Sequence, residues 1–88
     1  MNQDIEKVFL QLVEDMKNNK IAITPNQQEK LEMYALFKQA TEGNVTGDEP
    51  GITNFAARLK YLSWAKIKDT PPQEAMKKYI DLTEKLKK

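Results

Sequence analysis

Apolar residues recur at Ile5, Val8, Phe9, Leu12, Val13 and Met16, with spacings i, i+3, i+4, i+7, i+8 and i+11. That spacing draws one stripe down a helix, and Glu6, Lys7, Glu14, Asp15 and Lys17 fall largely off it. It predicts a first helix over about Gln3 to Asn18, with Lys20 to Ile23 as a connector. Thr24-Pro25-Asn26-Gln27 reads as a helix start: Thr24 can cap, Pro25 suits the first helical position, and Gln27 stands where a capping box places its partner. The second helix should continue through Leu31, Tyr34, Phe37 and Ala40 to Glu42, with Gly43 as a left-handed stop.

Gly43, Gly47 and Gly51 fall within nine residues, with Pro50 beside the last. The stretch from Gly43 to Asn54 is therefore a loop, longer than most helix–helix connections. Such a length lets the chain cross from one end of a bundle to the other. A third helix is predicted over Phe55 to Lys68. Thr70-Pro71-Pro72-Gln73 repeats the start signal, and a fourth helix places Ala75, Met76, Tyr79, Ile80, Thr83 and Leu86 on one side. The closing Lys85-Leu86-Lys87-Lys88 puts cations where the helix dipole favours them. No alternation of the kind strands require is present, so the fold class is all-α, a single four-helix domain over residues 1–88.

Composition narrows the function. The net charge is +1, from 14 Lys+Arg against 13 Asp+Glu, which gives little long-range attraction to nucleic acid. Helix-turn-helix DNA binding asks for more positive charge on one helix than the chain carries. With no Cys there is no thiolate catalysis or disulfide framework. With no His, the usual general base near neutral pH is missing. An enzyme is not expected, nor a metal or cofactor. Asp4, Glu6, Glu14 and Asp15 do not fit a secretory signal, and no apolar run reaches the length of a membrane span. The expected protein is cytoplasmic and monomeric, with no stable membrane insertion and no nucleic-acid partner.

Two constellations can carry binding chemistry. Tyr34, Phe37 and Lys38 share a face of the second helix, at i, i+3 and i+4. Lys60, Tyr61 and Trp64, with Arg58 nearby, offer a similar pairing on the third. A cation beside aromatic surface suits a ligand with a flat ring and a phosphate. The same spacing also describes rings facing a core with lysines reaching to water, and Phe9, Phe55 and Trp64 are expected to be core. Gly43 to Gly51 lacks the Gly-Lys-Ser/Thr of a phosphate loop, and Asp48-Glu49 falls short of a calcium loop.

Tyr34-x-x-Phe37-Lys38-Gln39-Ala40-Thr41-x-Gly43, followed by Pro50-Gly51, Lys60, Trp64, Ala75-Met76 and Tyr79-Ile80, resembles the acyl-CoA-binding protein family along nearly the whole chain. The resemblance implies an up-down-down-up four-helix bundle that binds one long-chain fatty acyl-CoA in a surface cleft without catalysis. It implies that Tyr34, Lys38 and Lys60 hold the 3′-phosphate, Phe37 stacks on adenine and Tyr79 lines the site. Lys17 then lies near the CoA moiety and Val13 near the acyl groove. Phe37 stands where the family usually has Tyr, Tyr61 where it often has Trp, and Leu12 and Val13 where it often has alanines. A sixteen-carbon tail leaving water contributes up to about 10 kcal/mol, at roughly 0.8 kcal/mol per CH₂, before ordering costs. The implied role is carriage and buffering of acyl-CoA, with acyl-CoA-using enzymes as partners. The alternative from the residues alone is a helical interaction module whose aromatic face docks a partner helix.

Overall fold

The computed structural model describes residues 2–87, with side chains from Asp4 to Lys87. Four helices follow in order: α1 over Asn2–Lys17, α2 over Gln27–Glu42, α3 over Phe55–Lys66 and α4 over Pro72–Leu86. The last residue of the basic tail, Lys88, lies outside the described residues. There is no strand among the described residues, only an isolated antiparallel bridge between Ile23 and Lys87.

The helices stand in the order α1, α4, α2, α3: α1 packs on α4, α4 on α2, and α2 on α3, while no other pair makes close backbone approach. Directions follow from side-chain partners. Lys60 sits over the Tyr34 ring and Lys38 over the Trp64 ring, so α2 and α3 advance in step and run parallel. Gln39, near the end of α2, reaches Thr70, just before α4, so α2 and α4 are antiparallel. Ile23, shortly after α1, bridges Lys87, just after α4, so these two end on the same side. The result is the up-down-down-up arrangement, and the long Gly43–Asn54 connection is what lets two successive helices be parallel.

Each helix end has a local cause, and several differ from the expected one. Neither Thr24 nor Pro25 begins α2. Asn26 does, with its side chain accepting from the Glu29 backbone N–H at 2.8 Å while the Glu29 carboxylate accepts from the Asn26 N–H at 2.9 Å. This is a capping box two residues later than the Thr-Pro signal, chosen because Asn26 and Glu29 also stand at the Ncap–N3 spacing. Gly43 ends α2 at positive φ (83°), as expected, but with ψ −148° outside the left-handed helical region. α3 stops at Lys66 rather than Lys68, and the turn to α4 passes through Asp69 at φ 72°. Thr70 does not cap α4: Pro71 is the N-cap and Pro72 takes the first helical position, where its missing N–H costs nothing.

The core consists of Phe9, Leu12, Met33, Leu36, Ala40, Ala75, Met76 and Tyr79, with Ile5, Val13, Met16, Ile21, Ile23 and Phe37 packed partly against it. Trp64 is buried as expected, donating its indole N–H to the Gly43 carbonyl at 2.8 Å. Phe55, expected in the core, is 65% exposed. α2 is the one helix that packs on α3, and Phe55, at the first turn of α3, is left uncovered by it. The crossover loop is fastened to α3 by Tyr61, whose hydroxyl donates to the Gly47 carbonyl, and by Arg58, which donates to the Pro50 carbonyl and pairs with Glu49. Gln39 is buried and donates from its amide to Asn44 Oδ1 and the Thr70 carbonyl, and Asn44 in turn accepts from the Asp69 N–H. These bonds hold the C-terminal end of α2 to the α3–α4 turn.

Candidate ligand-binding site

Three aromatic rings cross the row of helices. Phe9 from α1 meets Tyr79 from α4 edge-on, with centroids 5.3 Å apart and planes at 75°. Phe37 from α2 lies 6.2 Å from Phe9 and 6.5 Å from Tyr79. The backbones of α1 and α2 do not come together, so these side chains bridge the gap between them. Beside the rings opens a concavity of about 420 Å³, lined by Met16, Ile23, Pro25, Lys30, Met33, Tyr34, Phe37 and Tyr79. Its wall is almost wholly apolar. Tyr34 stands at its edge and joins it to a cluster of cations.

That cluster is built by the parallel register of α2 and α3. Lys60 Nζ lies 5.6 Å from the centre of the Tyr34 ring, and Lys38 Nζ lies 5.2 Å from that of Trp64. Each is within cation–π range. Lys38 also pairs with Glu42 one turn along α2. The hydrogen bond to Glu42 raises the Lys38 ammonium above its ordinary pKa of 10.5, against an opposing effect of burial, with the Glu42 charge adding to the rise. Tyr34, Lys38 and Lys60, one group only in what the family resemblance implies, lie together: Lys60 over the Tyr34 ring and Lys38 one turn beyond Tyr34. Phe37 and Tyr79 join them through the concavity. Val13 is half-buried against the core and Lys17 is exposed at the end of α1, and neither lines the concavity.

Burial pushes the Tyr79 phenol above its ordinary 10.0. The fold therefore prefers the neutral phenol, and this contribution is complete below pH 10 and lost as pH rises through the folded-state value. Melting temperature should accordingly fall more steeply above pH 10 in the natural chain than in Tyr79→Phe, by circular dichroism between pH 8 and 11. Lys38 acts with the same sign in both proteins, so the difference isolates Tyr79. Equal slopes would remove the burial argument.

Sequence reading passed over Lys30, the one charged residue lining the concavity. It stands four residues before Tyr34 and eight before Lys38, and this i, i+4, i+8 series was the signal available. Among the described residues no group of acidic, His or Cys side chains could hold a metal ion, and no helix is long and apolar enough to cross a membrane.

Residues 6–83 match the family model described as acyl CoA binding protein. The chain belongs to the acyl-CoA-binding protein family. It is 40% identical over 68 residues to the acyl-CoA-binding protein of Saccharomyces cerevisiae, an alignment spanning 77% of this chain and 78% of that one. It is also 46% identical over 57 residues, 65% of its length, to acyl-CoA-binding domain-containing protein 1 of Arabidopsis thaliana. With enoyl-CoA delta isomerase 2 of Rattus norvegicus it shares 39% over 62 residues, 70% of its length. The chain spans only 17% and 16% of these last two, so in them the matching unit is one part of a longer protein. The fold agrees with the crystal structure of Oryza sativa acyl-CoA-binding protein 2 at a TM-score of 0.84 and 33% identity, covering 96% of this chain and 89% of that one. ACBP from Moniliophthora perniciosa gives 0.74 and 28%, covering 93% and 76%. The family is one of binding proteins, and the interaction-module alternative is not favoured.

Proposed function

We propose that this chain binds one long-chain fatty acyl-CoA ester at a time, without chemistry on it, and carries and buffers such esters in the cytoplasm. The observation that carries this reading is that Tyr34, whose ring Lys60 overlies and which stands one turn before Lys38, also lines an apolar concavity. An acyl-CoA needs both surfaces at once: fixed cations for phosphate and apolar cover for a tail. Tyr34, Lys38 and Lys60 hold the 3′-phosphate, and Phe37 offers its ring to adenine. Tyr79 lines the tail-binding surface. Lys17 approaches the CoA moiety from α1, and Val13 sits behind the acyl groove. The chain works as a monomer that hands its ligand to acyl-CoA-using enzymes. Calorimetric titration with palmitoyl-CoA tests the reading, and lack of saturable binding at micromolar protein would rule it out.

The pairing of Lys38 with Glu42 has a consequence for this role. Both side chains are partly exposed, so the pair is weak and yields to a phosphate. The Glu42 carboxylate nevertheless competes for the same ammonium and repels the incoming anion. Glu42→Gln is therefore expected to tighten palmitoyl-CoA binding by roughly two- to fivefold at low salt, with the gain shrinking as salt rises. Weaker binding by Glu42→Gln in the same titration would show that Glu42 positions Lys38 rather than competing for it.

A further inference from the structure

Lys30 is a cation set on an apolar wall. Of the eight residues lining the concavity, it alone is charged, and its ammonium has no hydrogen-bond or ion-pair partner among the described residues. Its backbone N–H is satisfied by the Asn26 carbonyl, 2.9 Å away, so the position is fixed by the first turn of α2. It lies one turn from Tyr34 and two turns, about 12 Å along the axis, from Lys38, toward the end of the concavity where Pro25 and Ile23 stand. The cation thus stands two turns from Lys38 and one turn from the Tyr34–Lys60 contact, and borders the surface that covers a tail.

Lys30 is exposed, so its methylene stem continues the apolar wall while its ammonium reaches water at the rim, and a plain alkyl chain running past this point offers that charge no partner. A chain that presents a carboxylate at that point meets an unpaired cation with three donors. We propose that Lys30 is a specificity-determining residue of the acyl-binding surface, favouring acyl-CoA esters whose tail ends in an anionic carboxylate over plain chains of equal length. This inference rests on the acyl-CoA reading and deepens it by naming a ligand subclass. Lys30 does nothing to the thioester. It only sets which tail is held.

The test compares palmitoyl-CoA with the mono-CoA thioester of hexadecanedioic acid, by calorimetry, on the full chain and on Lys30→Met and Lys30→Arg. Methionine keeps the length and helix preference of the side chain and removes the charge. The natural chain should bind the carboxylated ester at least as tightly as palmitoyl-CoA. Lys30→Met should lose about tenfold for the carboxylated ester relative to palmitoyl-CoA, while Lys30→Arg keeps the natural ratio. An unchanged ratio in Lys30→Met, with palmitoyl-CoA still bound, overturns this inference and leaves the acyl-CoA reading intact. Failure of both esters to bind the natural chain overturns that reading, and this inference with it.

Discussion

Lys38→Ala and Lys60→Ala are each expected to weaken palmitoyl-CoA binding by about ten- to hundredfold, the worth of one charge-assisted hydrogen bond of roughly 1.5–3 kcal/mol. Neither should disturb the fold by more than about 0.5–1 kcal/mol, because each lysine contributes only a cation–π contact and, for Lys38, an exposed ion pair. The ligand offers an internal control. With the 3′-dephospho form of palmitoyl-CoA, the natural chain should itself bind more weakly, and the two substitutions should cost little more. If both variants lose the same affinity for the dephospho ligand as for the complete one, the lysines meet some other part of the molecule. If both unfold, their role is structural.

The second large effect concerns Phe9. It is fully buried, edge-on to Tyr79 and close to Phe37, and it is the ring through which α1 reaches α2. Phe9→Ala removes that bridge and leaves a cavity, at a cost of about 3–5 kcal/mol. A domain of this size has on the order of 5–10 kcal/mol in total, so urea should unfold the variant at about half the natural midpoint or less. Phe9→Leu, which refills most of the space, should lose clearly less. A saturating ligand that binds only the folded chain returns part of the loss, about 2.7 kcal/mol at a hundredfold excess over Kd. A shift in midpoint corresponding to less than 1 kcal/mol for Phe9→Ala would mean that α1 is held by other contacts.

How much of this could be read beforehand depended on what each position needed to know. The helices and the long loop were legible because periodicity and glycine placement are local facts. The start of α2 was misplaced because two capping signals overlap, Thr24-Pro25 and Asn26…Glu29, and only the folded backbone shows which one receives the N–H groups. Phe55 was misjudged for a different reason: an aromatic residue at helical spacing is buried only if a neighbour covers that face, and α3 has one neighbour. At the site, the grouping of Tyr34, Lys38 and Lys60 was implied by the family resemblance, since it depends on the parallel register of two helices separated by the loop. Lys30 was visible as a residue, yet its meaning lay in the apolar company it keeps, which no spacing rule reports.

The row order of the helices sets how the chain breathes. α2 and α4 each have two helical neighbours, whereas α1 lies on α4 alone and meets α2 through side chains such as Phe9 without close backbone approach. Opening α1 therefore breaks one interface, while opening α2 breaks two. Backbone amides of α1 should exchange with deuterium sooner than those of α2 and α4 in the unliganded chain. A molecule lodged between Met16 on α1 and Met33 on α2 supplies the missing second interface, and its arrival should register as slowed exchange along α1.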